Sequence, residues 1–268
     1  MRPNSVVISG AIQGIGFEIG KYFLTHSKYH LCIIDNQEHV DNIEFLKIKF
    51  PNRFTIFSAD LSSAIETETV AAKIINESLP MILVNNLGSR DKTSLGGETG
   101  ISFSNTLNTI VVSNFLLSRS FLNNANLEKI TKFRIVNIGS ILADFVGPQS
   151  PSYHAAKGTL QSLNRYFSIE GKRLVPDFSV ILLQLGFVLQ NRYQPKFNSN
   201  DNSDFQSSVR HYLGSPHVIS DEEIAAMVFQ LSTGDATRLL NGNVIDLDNG
   251  SKNSEHLNLL QTYNIKNE

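Results

Sequence analysis

Seven short apolar runs punctuate the chain: "SVVIS" (5–9), "HLCIID" (30–35), "RFTIFS" (53–58), "MILVNN" (81–86), "FRIVNIG" (133–139), "FSVILLQ" (178–184) and "GNVIDLD" (242–248). Within them, apolar residues follow one another instead of alternating with polar ones. That is the pattern of strands covered on both faces. Between the runs, amphipathic stretches fall near 14–26, 62–78, 104–125, 152–170 and 221–232, with the spacing of helices. Strand-helix alternation along the whole length predicts an α/β fold, a doubly wound parallel sheet of about seven strands with helices on both faces. No shift in composition and no internal repeat divides the chain. Residues 1–250 therefore read as one domain and 251–268 as a polar C-terminal extension. The widest interruption is 189–219, rich in Asn, Ser and Gln. A polar stretch of that length inside a compact domain reads as a disordered loop or a functional lid.

Composition narrows the function. Of 268 residues, 41% are hydrophobic and 18% charged, enough for a sizeable core. The net charge of −2 offers no basic surface for a nucleic acid. A single cysteine, Cys32, excludes an intramolecular disulfide and fits a reducing, cytoplasmic setting. The opening "MRPNSVVISG" has too short an apolar run for a signal peptide, and no run approaches the roughly 20 apolar residues of a membrane span. None of the seven histidines has metal-ligand spacing, so no metal site is expected. His154 follows Tyr153 directly, about 100° around the predicted helix from it.

The first strand is followed by "SGAIQGIG", with Gly10, Gly14 and Gly16, and with Gln13 and Ile15 between and beside them. A tight strand-to-helix turn, and close approach of backbone to a pyrophosphate, both favour residues without Cβ. The helix that follows then offers N–H groups and a positive dipole end. The second strand ends in Asp35, where a carboxylate can accept both hydroxyls of an adenosine ribose and would repel a 2′-phosphate. No Arg or Lys follows it. A dinucleotide without a 2′-phosphate is the expected cofactor.

Further along, "SYHAAKGTL" (152–160) places Tyr153 and Lys157 four positions apart, on one helical face. Alone, such a pair is common on a solvated helix. Ser140 changes the picture: it closes the fifth apolar run, thirteen residues before Tyr153. A phenol beside an ammonium has its ordinary pKa of about 10 lowered toward working pH. A serine hydroxyl nearby can bond a substrate oxygen while its charge develops.

Taken in order, "SGAIQGIG", Asp35, "ADL" (59–61), "NNLG" (85–88), Ser140 with Tyr153 and Lys157, and "NGNVIDLDNG" (241–250) resemble the short-chain dehydrogenase/reductase family in its compact single-domain form, over residues 5–250. The resemblance implies a Rossmann fold and an NAD(H)-dependent interconversion of a secondary alcohol and a ketone. It casts Tyr153 as acid/base, Ser140 as the residue that orients the substrate, and Lys157 as both tuner of Tyr153 and binder of the nicotinamide ribose. It places Asp60 and Leu61 at the adenine, and Asn86, Leu87 and Gly88 along the cofactor. It places Gly186 and Val188 at the carboxamide, in "LGFV". Leu185 and Leu87 stand where the family has Pro and Ala. The family's relay asparagine aligns with Ile110, with Asn108 two residues earlier: either Asn114, one helical turn on, takes that role through a local shift, or the relay is rerouted, or turnover is slow. The substrate pocket is expected near Leu142, Phe145 and Phe187 and in 189–215, with Tyr193, Phe197, Phe205 and Tyr212. The resemblance also implies a homo-oligomer, dimer or tetramer. Two alternatives stay open: a dinucleotide-binding protein with little catalysis, suggested by Ile110, and an NADPH-dependent 3-oxoacyl-type reductase, against which Asp35 argues.

Overall fold

The computed structural model describes residues 2–36, 39–88, 93–145, 150–190 and 218–251. Tyr193, Phe197, Phe205 and Tyr212, most of the expected lid, and 252–268 lie outside the described residues. The strands are β1 (Asn4–Ser9), β2 (His30–Asp35), β3 (Phe54–Ser58), β4 (Leu79–Asn85), β5 (Lys132–Ser140), β6 (Asp177–Leu185) and the short β7 (Val188–Leu189), β8 (Ile219–Ser220) and β9 (Val244–Leu247). Seven of them form one parallel sheet in the order β3-β2-β1-β4-β5-β6-β9. The expected seven-stranded doubly wound sheet is therefore present. β7 and β8 form a separate parallel pair at the two edges of the undescribed segment 191–217.

The continuous apolar runs have a direct physical origin. Val6, Val7 and Ile8 are all fully buried, yet Val6 and Ile8 pack on one side of the sheet and Val7 on the other. Successive side chains point to opposite faces, and both faces are covered. One layer holds α1 (Gly14–His26) and α7 (Asp221–Thr233), with Ile19, Phe23 and Val228 inside. The other holds α3 (Ala64–Glu77), α5 (Ser113–Leu127) and α6 (Pro151–Leu174), with Leu117, Phe121 and Phe167 inside. A further helix, α2 (Val40–Lys49), has no counterpart in the hydrophobic pattern. Only its Leu46 is buried while Val40 and Ile48 are exposed, so it carries no clear apolar stripe.

The amphipathic stretch expected near 104–125 is interrupted. Helix α4 (Gly100–Leu107) runs into a π-helical turn, Asn108–Val112, before α5 begins. Ser113 N–H bonds the carbonyl of Asn108, five residues back. The extra residue changes the phase of everything after it, and such bulges are frequent at functional sites.

Candidate active site

The sheet order reverses between β1 and β4, and in open α/β sheets that point, outside the carboxyl ends of the strands, is where ligands bind. The glycine loop lies there. Gly10 and Gly14 have positive φ, 66° and 60°. A Cβ on Gly16 would lie 2.2 Å from the carbonyl oxygen of Gly10, so only glycine fits. A Cβ on Gly14 would meet only the Gln190 side chain, at 3.4 Å, leaving the loop a bare backbone surface there. Helix α1 starts after Gln13 without a side-chain cap bond and with no acidic residue in its first turn. These features suit an anion such as a pyrophosphate.

Asp35, at the end of β2, is buried, and its Oδ2 accepts the backbone N–H of Ile12 at 3.1 Å. The side chain of Asn42 holds the Ile12 carbonyl from the other side, at 2.8 Å. Ala59 N–H reaches Asp35 O at 3.3 Å, which sets "ADL" beside it; Asp60 is exposed and Leu61 buried. Asp60 accepts Ser62 N–H through Oδ1. Ile15, in the first turn of α1, packs partly buried on the core.

Asn86, just past β4, is tied to the glycine loop. Its Nδ2 donates to the carbonyls of Ser9 (3.1 Å) and Gly10 (2.8 Å), bracing the glycine loop. Ser9 Oγ in turn accepts the N–H groups of Asn86 and Leu87. Gly88 faces Lys157: a Cβ there would lie 3.1 Å from Nζ.

Ser140 closes β5, and its Oγ accepts Leu142 N–H at 3.2 Å. Tyr153 and Lys157 occupy the first two turns of α6, as the i,i+4 spacing predicts. Lys157 Nζ lies 5.5 Å from the Tyr153 ring centroid and donates to the carbonyl of Ile138 at 2.7 Å. Lys157 is only 2% exposed, and burial lowers its pKa from 10.5 to about 8. It stays mostly protonated at neutral pH. His154 is turned away, with Nδ1 against the carbonyl of Ser150 at 2.8 Å.

Ile110 sits inside the π turn, buried with Ala156, Leu160 and Leu182, and Tyr153 packs on this cluster. Asn114 is buried as well, but its Nδ2 donates to Asn137 Oδ1 at 2.9 Å. Asn137 Oδ1 also accepts Asn85 Nδ2, at 2.9 Å, and Asn137 Nδ2 reaches Asn164 at 3.5 Å. The structure thus gathers Asn85, Asn114, Asn137 and Asn164 into a polar seam between β4, β5, α5 and α6. Asn85 Oδ1 and Asn114 Oδ1 accept no hydrogen bond within it.

Three contributors lie in stretches that the sequence marks, without being marked individually. Ser9 had no signal beyond being a serine at a strand end. Gln190 lies beside Gly14 with its Oε1 buried, which only the fold reveals. Asp248 supports Gly186: a Cβ on Gly186 would lie 2.8 Å from Asp248 Cα, so the two turns touch. Val188, in β7, is half-buried. Among the described residues, no group of three or more His, Cys, Asp or Glu could hold a metal ion. No described helix is long and apolar enough to cross a membrane.

The family sequence profile described as short chain dehydrogenase matches residues 4–197. The chain belongs to that family of oxidoreductases. Solved structures of similar fold include a 4-hydroxyisoleucine dehydrogenase complexed with NADH (24% identity, 92% of this chain and 98% of that one, TM-score 0.81). ElxO with NADP bound is similar too (20% identity, 94% and 100%, TM-score 0.78). So is an apo SCOR enzyme from Clostridium thermocellum (22% identity, 93% and 93%, TM-score 0.76). No curated protein sequence matches the chain.

Proposed function

We propose that the protein is an NAD(H)-dependent oxidoreductase that interconverts a secondary alcohol and a ketone. The observation that carries this is the buried Lys157 ammonium, 5.5 Å from the Tyr153 ring and bonded at 2.7 Å to the Ile138 carbonyl of the strand that ends in Ser140. When bound, the dinucleotide supplies or accepts the hydride. The protein's own part is proton and charge management. Tyr153 exchanges the proton at the substrate oxygen, Lys157 favours the phenolate, and Ser140 Oγ stabilises the oxygen as charge moves onto it. Leu142, Phe145 and Phe187 line the substrate side. Asp35 selects NAD, since a 2′-phosphate beside a buried carboxylate, with no Arg or Lys following it in the sequence, is repelled. The alternative of an NADPH-dependent 3-oxoacyl-type reductase is disfavoured on that ground.

The same reading takes residues 1–250 as one catalytic domain, and the protein as cytoplasmic and a homo-oligomer. The test is turnover of NAD+ or NADH with a panel of hydroxy and keto compounds. Turnover that survives Tyr153→Phe sinks the assignment, and a preference for NADPH sinks the choice of cofactor. Ile110, packed where the family keeps its relay asparagine, favours one second reading: a dinucleotide-binding protein with little catalysis. Tight NADH binding without turnover on any class of the panel would select it.

A further inference from the structure

Helix α6 carries Tyr153 in its first turn, which opens on Pro151 and is closed by the Ser150 carbonyl accepting the N–H groups of Tyr153 and His154 at 3.1 and 3.3 Å. Its N-cap, Ser150, sits in the left-handed region at φ 62° and makes no side-chain cap bond. No acidic residue lies in the first turn. The missing acceptor comes from another segment. Glu98, just before α4, accepts Ser152 Oγ at 3.2 Å through Oε2, and it is bonded by the Ser152 backbone N–H as well. The same carboxylate accepts Ser102 Oγ at 2.6 Å through Oε1 and Thr93 Oγ1 at 3.4 Å. Ser102 belongs to the capping box that starts α4, and the carbonyl of Thr93 accepts the N–H of Ser150 at 2.7 Å.

We propose that Glu98 is a positioning residue: it caps α6 from outside and fixes the first turn, which carries Tyr153. The chemistry of the cap is ordinary. A carboxylate accepts the unpaired N–H groups of a helix start and is attracted by the positive end of the helix. Its reach is the unusual part, since Glu98 and Ser152 are 54 residues apart. Lys157, one turn deeper, is held independently through Ile138, so Glu98 governs the tyrosine end of the pair. The hydrogen bonds keep the Glu98 carboxyl below the usual carboxylate range, so the cap is charged at neutral pH.

The inference rests on the proposed function only for its catalytic consequence; the cap itself is read without turnover. Hydrogen exchange by mass spectrometry on the full chain compares wild type with Glu98→Ala, Glu98→Gln and the double variant Glu98→Ala/Ser152→Ala. In Glu98→Ala, amides of 152–156 exchange about tenfold faster, while those of α1 behind the glycine loop are unchanged. Glu98→Gln, which keeps one acceptor of the same reach, recovers part of the protection. The double variant exchanges no faster than Glu98→Ala alone. On whichever alcohol the wild type oxidises, Glu98→Ala lowers kcat about fivefold or more, with the KM for NAD+ within twofold. Exchange of 152–156 within twofold of wild type in Glu98→Ala overturns the cap. Protection lost with kcat retained overturns the positioning role. Wild type without turnover on the panel is a failure of the proposed function, and the exchange result then stands by itself.

Discussion

Lys157 Nζ donates to the carbonyl oxygen of Ile138 at 2.7 Å, two residues before Ser140 on the same strand. One bond thus ties the helix that bears Tyr153 to the strand that bears Ser140, and it aims the ammonium. It also makes Lys157 expensive to the fold. The drop in its pKa from 10.5 to about 8 comes from burial alone, at 1.36 kcal/mol per tenfold change, or about 3 kcal/mol of destabilisation when the group is charged.

The sign of the pH dependence follows. The unfolded chain keeps the Lys157 proton up to about 10.5, whereas the fold releases it near 8. Between those values the unfolded state binds more protons, so stability rises with pH in that window. The contribution is fully present above 10.5 and is lost as pH falls through 8. Lys157→Met removes the buried charge and leaves Ile138 O without its donor, a loss of about 1 kcal/mol. The variant is therefore expected to be more stable than wild type at pH 7, by about 1–2 kcal/mol, with the advantage vanishing toward pH 10.5. Denaturant unfolding at pH 7, 8.5 and 10 measures this. A variant less stable than wild type at pH 7 contradicts it. Turnover should also decline as pH rises through about 8, where Lys157 loses its charge.

Asp35 is predicted to separate the two cofactors. Asp35→Ala removes the carboxylate and leaves the Ile12 N–H without its Oδ2 acceptor. The expected loss is about 1–2 kcal/mol of stability and about tenfold in NADH affinity, equivalent to about 1.4 kcal/mol. NADPH affinity should rise in the same variant, because the repulsion is gone. Fluorescence titration with both dinucleotides decides; parallel loss of both would mean that Asp35 only braces the loop.

Gly16 offers a steric test. A Cβ there meets backbone, the Gly10 carbonyl at 2.2 Å, with Asn86 Nδ2 at 2.5 Å, so no side-chain rotation relieves it. Gly16→Ala should lower stability by about 1–3 kcal/mol and abolish NADH binding, since the loop must open to admit the methyl group. Thermal unfolding alongside an NADH titration measures both effects. Gly250→Ala is the contrast: it carries strain from φ 77° but meets no atom within 4 Å, and the dinucleotide affinity should be unaffected.

Much of this site was legible because its requirements are local. A strand-to-helix turn needs glycine, a two-faced strand needs a continuous apolar run, and Tyr153 with Lys157 needs only one helix. What was not legible depends on partners far apart in the chain. Glu98 reaches α6 through Ser152, 54 residues on, and Ser9 holds Asn86 and Leu87 from 77 and 78 residues away. Helix α2 lacks a buried stripe, so periodicity had nothing to detect. The π turn is a change of phase, and an alignment by apolar positions cannot see a residue added inside a helix. Asn137 did leave a trace: a lone amide within the apolar run "FRIVNIG" is the mark of a buried polar hub.

That hub supplies the last prediction. Asn137 accepts two amide donors through Oδ1, from Asn85 and Asn114, each at 2.9 Å. Asn137→Leu strips both of that acceptor inside a buried seam, leaving Asn85 Nδ2 with Ser118 Oγ at 3.2 Å. The expected cost is about 2–4 kcal/mol, one buried donor left unpaired being worth about 1–3 kcal/mol. Asn114→Leu removes one bond, but it also removes the Asn114 Oδ1 that accepts nothing within the seam. Its expected cost is under about 1 kcal/mol, because Asn137 keeps its Asn85 donor. If Asn114 only braces the seam, kcat stays within twofold of wild type. If Asn114 replaces the relay asparagine that Ile110 displaces, kcat falls tenfold or more while stability barely changes. The geometry favours bracing: Asn114 Nδ2 is committed to Asn137, and Ile110 and its apolar neighbours pack against Tyr153. Unfolding and steady-state kinetics on the two variants, side by side, separate a structural asparagine from a chemical one.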